Sequence, residues 1–555
     1  MKVFQNVAAH LLAMAQKEPQ QLAVVCPQSR DRWGRAAYTH YTFAQLNEAC
    51  DFFAQKLTAA GLRRGMRTAL MLPPGLEFFA LTFALFKSAA APVLIDPGMG
   101  IRNLGKCLAE AQPEAFIGIP KAHLARRILG WARQSVRLTV AVGRPGLGCD
   151  LALDRLPRAI RAEFGATEPF PVADVAADEM AAILFTSGST GIAKGAVYTH
   201  AIFSSQVEAI RQTFAIQPGE VDLCTFPLFA LFAPALGMTS IVPDMDATRP
   251  AQADPEKIFE AVKSFGVTNL FGSPALLNRI GRGAKAKQML PTLRRVVSAG
   301  APVPAAVIER FARMLEPDIE IFTPYGATEA LPVAVIGSHE ILSETRARTD
   351  EGAGVCVGRP VAGIDVRIIP IRDEPIPGWS DDLRLPAGQI GEIAVRGPWV
   401  TPAYFNRPEA TALSKIQVPG GGFYHRMGDV GYFDDRGRLW FCGRKSQRVV
   451  TATGTLFTIP CEAVFNTHPD VFRTALVGVK QNGQVEPVLC VECEASRPPK
   501  SDDALRKELV GMAAKHAHTQ AIRTILFHPA FPVDIRHNAK IFREKLAAWA
   551  QRRLR

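Results

Sequence analysis

Apolar residues in the first part of the chain follow two alternating patterns, one of helical spacing and one of short unbroken runs. Thr42 and Gln45 form a helix-capping pair, the apolar residues that follow fall on one helical face, and Gly61 ends the pattern. A short apolar run at residues 67–72 precedes a phenylalanine-rich helical stretch and a second run at residues 92–95. Similar runs recur at residues 181–185, 269–271 and 295–298. This alternation predicts an α/β fold with layered, mainly parallel sheets.

The pattern changes near residue 358, where Gly, Pro and Asp turns separate short predicted strands at residues 366–369, 390–395, 431–433 and 439–442. We predict a small β-rich subdomain over about residues 358–443, within a large N-terminal domain over residues 1–443. About a hundred residues follow with strand and helix patterns of their own, at 475–479, 488–492, 503–516 and 542–553. That length suits an independent domain. We therefore predict a hinge at residues 444–446 and a small, mobile α+β domain over residues 447–555.

Composition narrows the class of protein. The chain has 555 residues, of which 48% are hydrophobic and 21% charged, enough apolar material for several cores. The net charge is +12, but the basic residues are scattered, so we expect no nucleic-acid binding. A basic surface could instead attract an anionic nucleotide or acyl substrate.

The cysteines and the longest apolar stretch bear on location. Cys490 and Cys493 lie three apart in a strand pattern and so face opposite sides, which disfavours a shared metal. Ten cysteines in a chain of this length form no disulfide framework, which favours reduced thiols and a cytoplasmic location. The stretch at residues 77–95 is interrupted by Glu77, Lys87 and Pro92, so we expect no transmembrane segment.

A run of hydroxyl and glycine residues follows the apolar strand pattern at residues 180–185. It consists of Thr186, Ser187, Gly188, Ser189, Thr190 and Gly191, and Lys194 comes shortly after it. Glycines let backbone N–H groups turn toward an anion, hydroxyls add donors, and the lysine adds positive charge. The Walker A spacing is absent, and a surface turn is the simpler alternative. The combination predicts a loop that binds the phosphates of a nucleotide.

This loop resembles the phosphate-binding signature of the adenylate-forming superfamily, which contains acyl-CoA synthetases, luciferases and non-ribosomal peptide adenylation domains. Further segments match its motifs in the same order: Tyr325-Gly326-Ala327-Thr328-Glu329, residues 425–429 followed by Gly443-Arg444, and residues 534–541 with Lys540. The resemblance implies that ATP is a substrate. It also implies an adenine and ribose site formed by Gly300, Ala301, Pro302, Tyr325, Gly326, Thr328, Asp429 and Arg444.

The resemblance also names catalytic and metal-binding residues. Glu329 and Thr186 would bind Mg²⁺, a hard cation that prefers oxygen ligands. Lys540 and Lys194 would stabilise the anionic transition state at the α-phosphate, with Glu329 as the third catalytic residue. Each residue taken alone has a simpler structural interpretation, such as a core tyrosine, a surface carboxylate or a solvated lysine.

Within the superfamily the chain is most similar to the olefin β-lactone synthetases of bacterial long-chain olefin biosynthesis. The similarity lies in residues 95–100, residues 116–123 and Arg536-His537-Asn538-Ala539-Lys540, which replaces the commoner Thr-x-x-Gly-Lys. It implies that a 2-alkyl-3-hydroxy fatty acid is adenylated and that its own 3-hydroxyl displaces AMP to close a β-lactone without CoA. It also implies partners, namely a thiolase-like condensing enzyme, a reductase and a lactone decarboxylase.

Two departures and two alternatives accompany this interpretation. Ala230 occupies a position where CoA ligases often carry a histidine or an aromatic gate, and Ser446 one where many relatives have a hinge Asp or Lys. The alternatives are a long-chain fatty acyl-CoA or fatty acyl-AMP ligase, and an inactive adenylate-fold binding protein. The base for lactone closure stays open: His200, His425 and His537 are candidates by residue type only, and a phosphate oxygen is another.

Overall fold

Short strands recur along the whole chain. The computed structural model describes residues 5–143, 148–153, 168–186, 193–226, 231–284, 288–494, 502–533 and 541–554, apart from the side chains of Pro97 and Thr186. The described strands are β1 Leu22–Arg30, β2 Ala36–Thr42, β3 Arg67–Met71, β4 Ala91–Ile95, β5 Ala115–Gly118, β6 Leu138–Val142, β7 Leu151–Leu153, β8 Met180–Thr186, β9 Lys194–Thr199, β10 Val221–Cys224, β11 Thr239–Ile241, β12 Asn269–Gly272, β13 Arg295–Ser298, β14 Ile321–Ala327, β15 Ala330–Gly337, β16 Val355–Pro360, β17 Asp365–Ile369, β18 Gly391–Arg396, β19 Lys415–Gln417, β20 Phe423–Phe433, β21 Leu439–Arg444, β22 Val449–Thr451, β23 Gly454–Leu456, β24 Val471–Gln481, β25 Gln484–Cys493 and β26 Thr524–Phe527.

Helices connect most of these strands. The described α-helices are α1 Ala8–Lys17, α2 Phe43–Ala59, α3 Leu76–Lys87, α4 Ile101–Ala111, α5 Pro120–Leu129, α6 His200–Thr213, α7 Phe232–Leu236, α8 Pro255–Phe265, α9 Pro274–Gly283, α10 Ala305–Ala312, α11 Ser338–Glu340, α12 Arg346–Asp350, α13 Pro408–Ser414, α14 Thr458–Asn466, α15 Asp502–Ala513 and α16 Arg543–Arg553, with a π-helix at Ile341–Thr345 between α11 and α12. The predicted capping box is present: the Thr42 side chain accepts a hydrogen bond from Gln45 N–H, and the Gln45 side chain accepts one from Thr42 N–H.

The first sheet has seven described strands in the order β7-β6-β5-β3-β4-β8-β9. All neighbouring pairs are parallel except β8 and β9. Strands β4, β5 and β6 are buried along their whole length, and every residue of α3 except Glu77 is buried. Apolar runs buried on both faces are typical of parallel sheets, which explains why these strands show no alternation of polar residues.

The second sheet has fourteen described strands, with the path β17-β18-β20-β21-β16-β15-β14-β13-β12-β10-β11-β1-β2 and β19 paired to β20. Its middle, from β1 and β11 through β10, β12, β13 and β14, is parallel, and the rest is antiparallel. The segment predicted as a β-rich subdomain continues this same sheet, because Ala334 of β15 is paired with Pro360 of β16. The predicted α/β class with layered sheets is confirmed.

The chain after Arg444 forms smaller sheets, β22-β23 and β24-β25-β26, packed with α14, α15 and α16. Helix α15 ends at Ala513, three residues before the predicted end, where the Thr519 hydroxyl donates to the Ala513 carbonyl at 2.7 Å. The bounds of the hinge and of the C-terminal domain stay a prediction.

Two of the sequence predictions concern disulfide bonds and transmembrane segments. All ten cysteines are unbridged, with Cys490 buried and Cys493 exposed at opposite faces of β25. Within the described ranges, the helices lack the combination of length and apolar character that a membrane span requires.

Candidate active site

The candidate site begins at the hairpin of β8 and β9, where Thr186 is paired with Lys194. Strand β9 also touches the second sheet, since the Tyr198 hydroxyl donates a hydrogen bond to the Thr328 carbonyl at 2.6 Å. A backbone bridge between Ala196 and Tyr404 adds a second contact. The site therefore lies where the two sheets meet.

Glu329 lies at the turn between β14 and β15. Its carboxylate accepts a hydrogen bond from the Tyr404 hydroxyl at 2.6 Å, and its carbonyl accepts one from Thr401 N–H at 2.9 Å. The Lys194 ammonium lies 4.8 Å from the centre of the Tyr404 ring, which favours a cation–π interaction. Tyr404 thus connects two residues predicted to be catalytic, Lys194 and Glu329.

Two glycines shape the neighbouring loops. A Cβ at Gly326 would lie 2.5 Å from the Ala330 carbonyl oxygen, so a larger residue would force the β14–β15 turn open. Gly300 has a φ of +97°, which other residues adopt only with strain. Gly300, Ala301 and Pro302 follow β13, the parallel neighbour of the strand that carries Tyr325. The predicted adenine loop and the predicted adenine motif therefore lie at the same edge of the sheet.

Asp429 connects β14, β20 and β21. Its Oδ2 accepts a hydrogen bond from the Tyr325 hydroxyl at 2.7 Å, and its Oδ1 lies 2.9 Å from Arg444 Nη1. Only 3% of Asp429 is exposed, and burial raises the pKa of its carboxyl group against the opposing effect of Arg444. The Asp429 carboxylate in turn raises the pKa of Arg444. The arrangement is a fixed carboxylate acceptor of the kind that two vicinal hydroxyls need.

A buried lysine lies behind Glu329. Lys415 donates hydrogen bonds to the Thr401 carbonyl and, at 3.0 Å, to His425 Nδ1. Burial lowers the pKa of Lys415 to about 7. Burial, reinforced by the Lys415 charge, holds the pKa of His425 well below its usual range. This environment opposes protonation of His425 and argues against it as the base for lactone closure.

His200 is remote from the site. It begins α6 at the far end of β9 from Lys194, about 20 Å away at 3.3 Å per residue of strand. Burial lowers its pKa to about 4. Its candidacy as a base is therefore not supported by its position.

An apolar cavity of about 70 Å³ adjoins the site. Pro324, which precedes Tyr325, and Leu331, two residues after Glu329, both line it. Most of the remaining wall is apolar, including Ile210, Phe214, Phe232, Leu236, Phe271 and Val297. Of the described residues in the wall, the exceptions are Asp222 and Asn269. A hydrocarbon chain fits this lining.

Some predicted residues lie outside the described ranges. These are Ser187, Gly188, Ser189, Thr190, Gly191, His537 and Lys540, together with Ala230 and the side chain of Thr186. The structure brings together Lys194, Glu329, Tyr325, Asp429 and Arg444. The roles of all these residues stay predictions.

Sequence reasoning missed the contribution of Tyr404, Tyr198 and Lys415. Tyr404 precedes the helix that starts at Pro408, in a segment with no alternation or motif spacing to single it out. Lys415 sits in a three-residue strand, where a lysine usually indicates a solvated position. Only the tertiary contacts identify these residues.

Comparisons with known proteins agree with this arrangement. The AMP-binding enzyme family matches residues 11–405. An olefin β-lactone synthetase of Xanthomonas campestris pv. campestris is 52% identical over 550 residues, 98% of this chain and 97% of that protein. Another, of Stenotrophomonas maltophilia, is 52% identical over 555 residues, 99% of this chain and 98% of that protein.

Solved structures share the fold. The amide bond synthetase McbA of Marinactinospora thermotolerans has a TM-score of 0.78 at 22% identity, covering 98% of this chain and 99% of that one. ATP-bound MatB of Rhodopseudomonas palustris has a TM-score of 0.77 at 20% identity, covering 99% and 100%. The motif-based prediction of an adenylate-forming enzyme similar to olefin β-lactone synthetases is confirmed, and the chain belongs to the family of AMP-binding enzymes.

Proposed function

We propose that this enzyme activates a 2-alkyl-3-hydroxy fatty acid with ATP and then closes it to a β-lactone. The observation that carries the proposal is that three features meet at one end of β14. A fixed carboxylate acceptor, Asp429, bonds to Tyr325; an oxygen ligand, Glu329, follows two residues after the strand; and the apolar cavity begins at Pro324. The two relatives named olefin β-lactone synthetases support the same activity.

In the first step a carboxylate oxygen of the acid attacks the α-phosphorus of ATP, and pyrophosphate leaves. Asp429 would accept hydrogen bonds from the ribose hydroxyls, because its Oδ1 is buried and accepts no hydrogen bond from the described residues although it is ion-paired to Arg444. Tyr325 would stack against adenine. Lys194 and Lys540 would place positive charge against the phosphates as the transition state forms.

Glu329 fits a magnesium site. Its carboxylate is a hard oxygen ligand, and the Tyr404 hydroxyl holds one of its oxygens in a fixed direction. The described residues contain no cluster of three or more His, Cys, Asp or Glu side chains that could hold a metal. Glu329 would therefore act as a single carboxylate ligand. Glu329 and Thr186 would hold the ion, which would supply positive charge beside the phosphates.

In the second step the 3-hydroxyl oxygen attacks the acyl carbon, the bond to AMP breaks, and the hydroxyl proton passes to a base. The cavity beside Pro324 would hold one hydrocarbon chain of the acid. Fixing the chain restricts the orientation of the neighbouring hydroxyl, and such restriction favours an intramolecular attack. No CoA takes part.

The hinge at residues 444–446 would allow the C-terminal domain to move between the two steps. Lys445 begins a short 3₁₀ helix, Lys445–Gln447, and its ammonium lies 3.1 Å from the Glu392 carboxylate.

The ten unbridged cysteines are in keeping with the reducing conditions of the cytoplasm. A thiolase-like condensing enzyme, a reductase and a lactone decarboxylase of olefin biosynthesis would be its pathway partners.

The decisive experiment incubates the enzyme with ATP, Mg²⁺ and a synthetic 2-alkyl-3-hydroxy acid, with and without CoA. We expect AMP, pyrophosphate and a product of the mass of the acid less one water, in equal yield in both samples. The matched control is the same acid without its 3-hydroxyl, which should release pyrophosphate but give no lactone. A product that forms only with CoA would instead identify a fatty acyl-CoA ligase.

A further inference from the structure

Among the residues that the structure describes, two polar side chains interrupt the otherwise apolar lining of the cavity. Asp222 of β10 and Asn269 of β12 are direct register partners in neighbouring parallel strands. The Asn269 amide donates a hydrogen bond to Asp222 Oδ1, and each residue is 6% exposed. A carboxyl and an amide group are therefore held together at one place in a hydrocarbon-lined space.

The strand register shows where this pair lies along the strand direction, relative to the candidate active site. Asn269 is level with Arg295, and Val296 is level with Ile321, so the pair lies level with the residue before β14 begins. Pro324 is four positions further along β14, which corresponds to about 13 Å at 3.3 Å per residue. The pair therefore lies at the end of the cavity opposite the candidate active site. Beside it on the neighbouring strand, the Arg295 guanidinium donates a hydrogen bond to the Glu220 carboxylate, at 3.1 Å from Nη2 to Oε1.

The polar groups of this pair make it a poor contact surface for a hydrocarbon chain. Asn269 Oδ1 is buried and has no hydrogen-bond partner among the residues that the structure describes. Burying an alkyl chain against an unsatisfied amide oxygen gains little, because that oxygen keeps its desolvation cost. Burial also raises the pKa of Asp222 to about 7, against the opposing effects of the Asn269 hydrogen bond and the Arg295 charge. Three ionisable side chains act electrostatically with this carboxyl group: Arg295, Glu220 and Cys224.

We propose that the Asp222–Asn269 pair is the polar floor of the acyl cavity and sets the length of the hydrocarbon chain that the enzyme accepts. This rests on the proposed function in taking the cavity as the site of one chain of the hydroxy acid. Chains that end above the floor gain from each added methylene. A chain that reaches the floor gains no further apolar contact of comparable value. It also meets a carboxyl group that becomes charged as the pH rises through its pKa.

The first test measures equilibrium binding of a series of 2-alkyl-3-hydroxy acids by calorimetry, without ATP, lengthening the C2 chain and the C3 chain in turn. For one of the two chains, affinity should rise about fourfold for each methylene that enters the cavity and then stop rising at a break length. In the Asp222→Val/Asn269→Val double variant the break should move to chains at least two methylenes longer. A folded double variant with an unchanged break length would overturn the proposal.

The second test separates charge from polarity. Asp222→Asn keeps a polar floor but cannot ionise, so its break length should stay as in the wild type. From pH 6 to pH 8 the wild type should lose affinity about tenfold for acids that reach the floor and keep it for shorter ones, whereas Asp222→Asn should keep both. Equal pH dependence in the two proteins would contradict the proposal.

Product analysis on the same acids keeps the two proposals apart. Suppose that the break length shifts in the double variant but the product is a thioester and not a lactone. The proposal about the floor is then supported, and the proposal of lactone synthesis is refuted. If lactone forms with no break that depends on the floor, the reverse holds. Because binding is measured without ATP, a protein with no turnover still shows whether the floor limits the chain length.

Discussion

The hydroxyl of Tyr325 donates a hydrogen bond to Oδ2 of Asp429 at 2.7 Å, joining the predicted adenine motif to the predicted ribose motif. The two residues are 104 positions apart in the chain and meet because β14 and β20 belong to one sheet. Asp429 is therefore held in place before any nucleotide binds.

Tyr325→Phe should raise the KM for ATP while leaving the ring that would stack on adenine. We expect an increase of about tenfold to a hundredfold, from the roughly 1.5–3 kcal/mol contributed by a hydrogen bond to a charged group. Pyrophosphate release at varied ATP measures it. The matched control is Tyr432→Phe, whose hydroxyl donates to the Ala353 carbonyl and should leave the KM unchanged. Equal effects of the two changes would contradict a nucleotide-positioning role for Tyr325.

Tyr404→Phe should raise the Mg²⁺ concentration needed for half-maximal adenylation by about tenfold, since removing the partner that orients a metal ligand commonly has an effect of this size. The variant loses the hydrogen bond to Glu329 but keeps the ring beneath Lys194. Tyr424→Phe, whose hydroxyl bonds to Asp365, is the control. An unchanged Mg²⁺ requirement in the first variant would show that Glu329 does not depend on Tyr404 to bind the metal.

Lys540→Ala should slow adenylation by about a hundredfold to a thousandfold, the usual cost of removing a group that stabilises transition-state charge. Exchange of labelled pyrophosphate into ATP isolates this first step. Lys545→Ala, on the exposed side of α16, removes an equal charge from the same part of the chain and should have no effect. Full turnover in Lys540→Ala would refute the assignment.

Asp222 should make folding stability depend on pH. Its pKa is about 7 in the folded protein against 3.8 ordinarily, so between these values the folded state keeps a proton that the unfolded chain has released. The stabilisation that comes from the protonated Asp222 carboxyl group is complete below about pH 4 and is lost as the pH rises toward 7. From pH 5 to pH 8 the wild type should lose about 3 kcal/mol relative to Asp222→Asn, at 1.36 kcal/mol for each of the two pH units between pH 5 and the folded pKa. Guanidinium unfolding of both proteins measures the difference, and parallel pH profiles would contradict it.

Arg426→Met should destabilise the antiparallel part of the second sheet. The side chains of Arg426 and Glu392 are each 1% exposed and lie 2.6 Å apart, and removing Arg426 leaves the buried Glu392 carboxylate with the Lys445 ammonium, at 3.1 Å, as its partner. The expected loss is about 3 kcal/mol, from the lost hydrogen bonds between charged groups. Arg436→Met breaks an exposed ion pair with Glu344 and should cost less than about 1 kcal/mol. Similar unfolding midpoints for the two variants would contradict a stabilising role for the buried Arg426–Glu392 pair.

The sequence predicted elements well where the local pattern and the burial agree. The capped helix α2 and the apolar strands β3, β4, β8 and β13 were all evident, since a strand buried on both faces must be apolar throughout. Strand β20 was predicted only at its end, because Arg426 and Asp429 occupy buried positions within it. Those charges are tolerated only through partners on other strands, Glu392 and Arg444, which no local pattern reveals.

For the site, the motifs were enough to predict the family and the chemical types of the residues, because glycines, hydroxyls, lysines and carboxylates at motif spacing carry the chemistry of adenylation. How those residues meet became evident from the folded chain alone. Tyr404 reaches Glu329, Lys415 donates to the carbonyl of Thr401 next to it, and Asp222 and Asn269 meet in the wall of the cavity. Each of these contacts joins segments far apart in the chain, so it depends on strand order and register, which sequence periodicity does not specify.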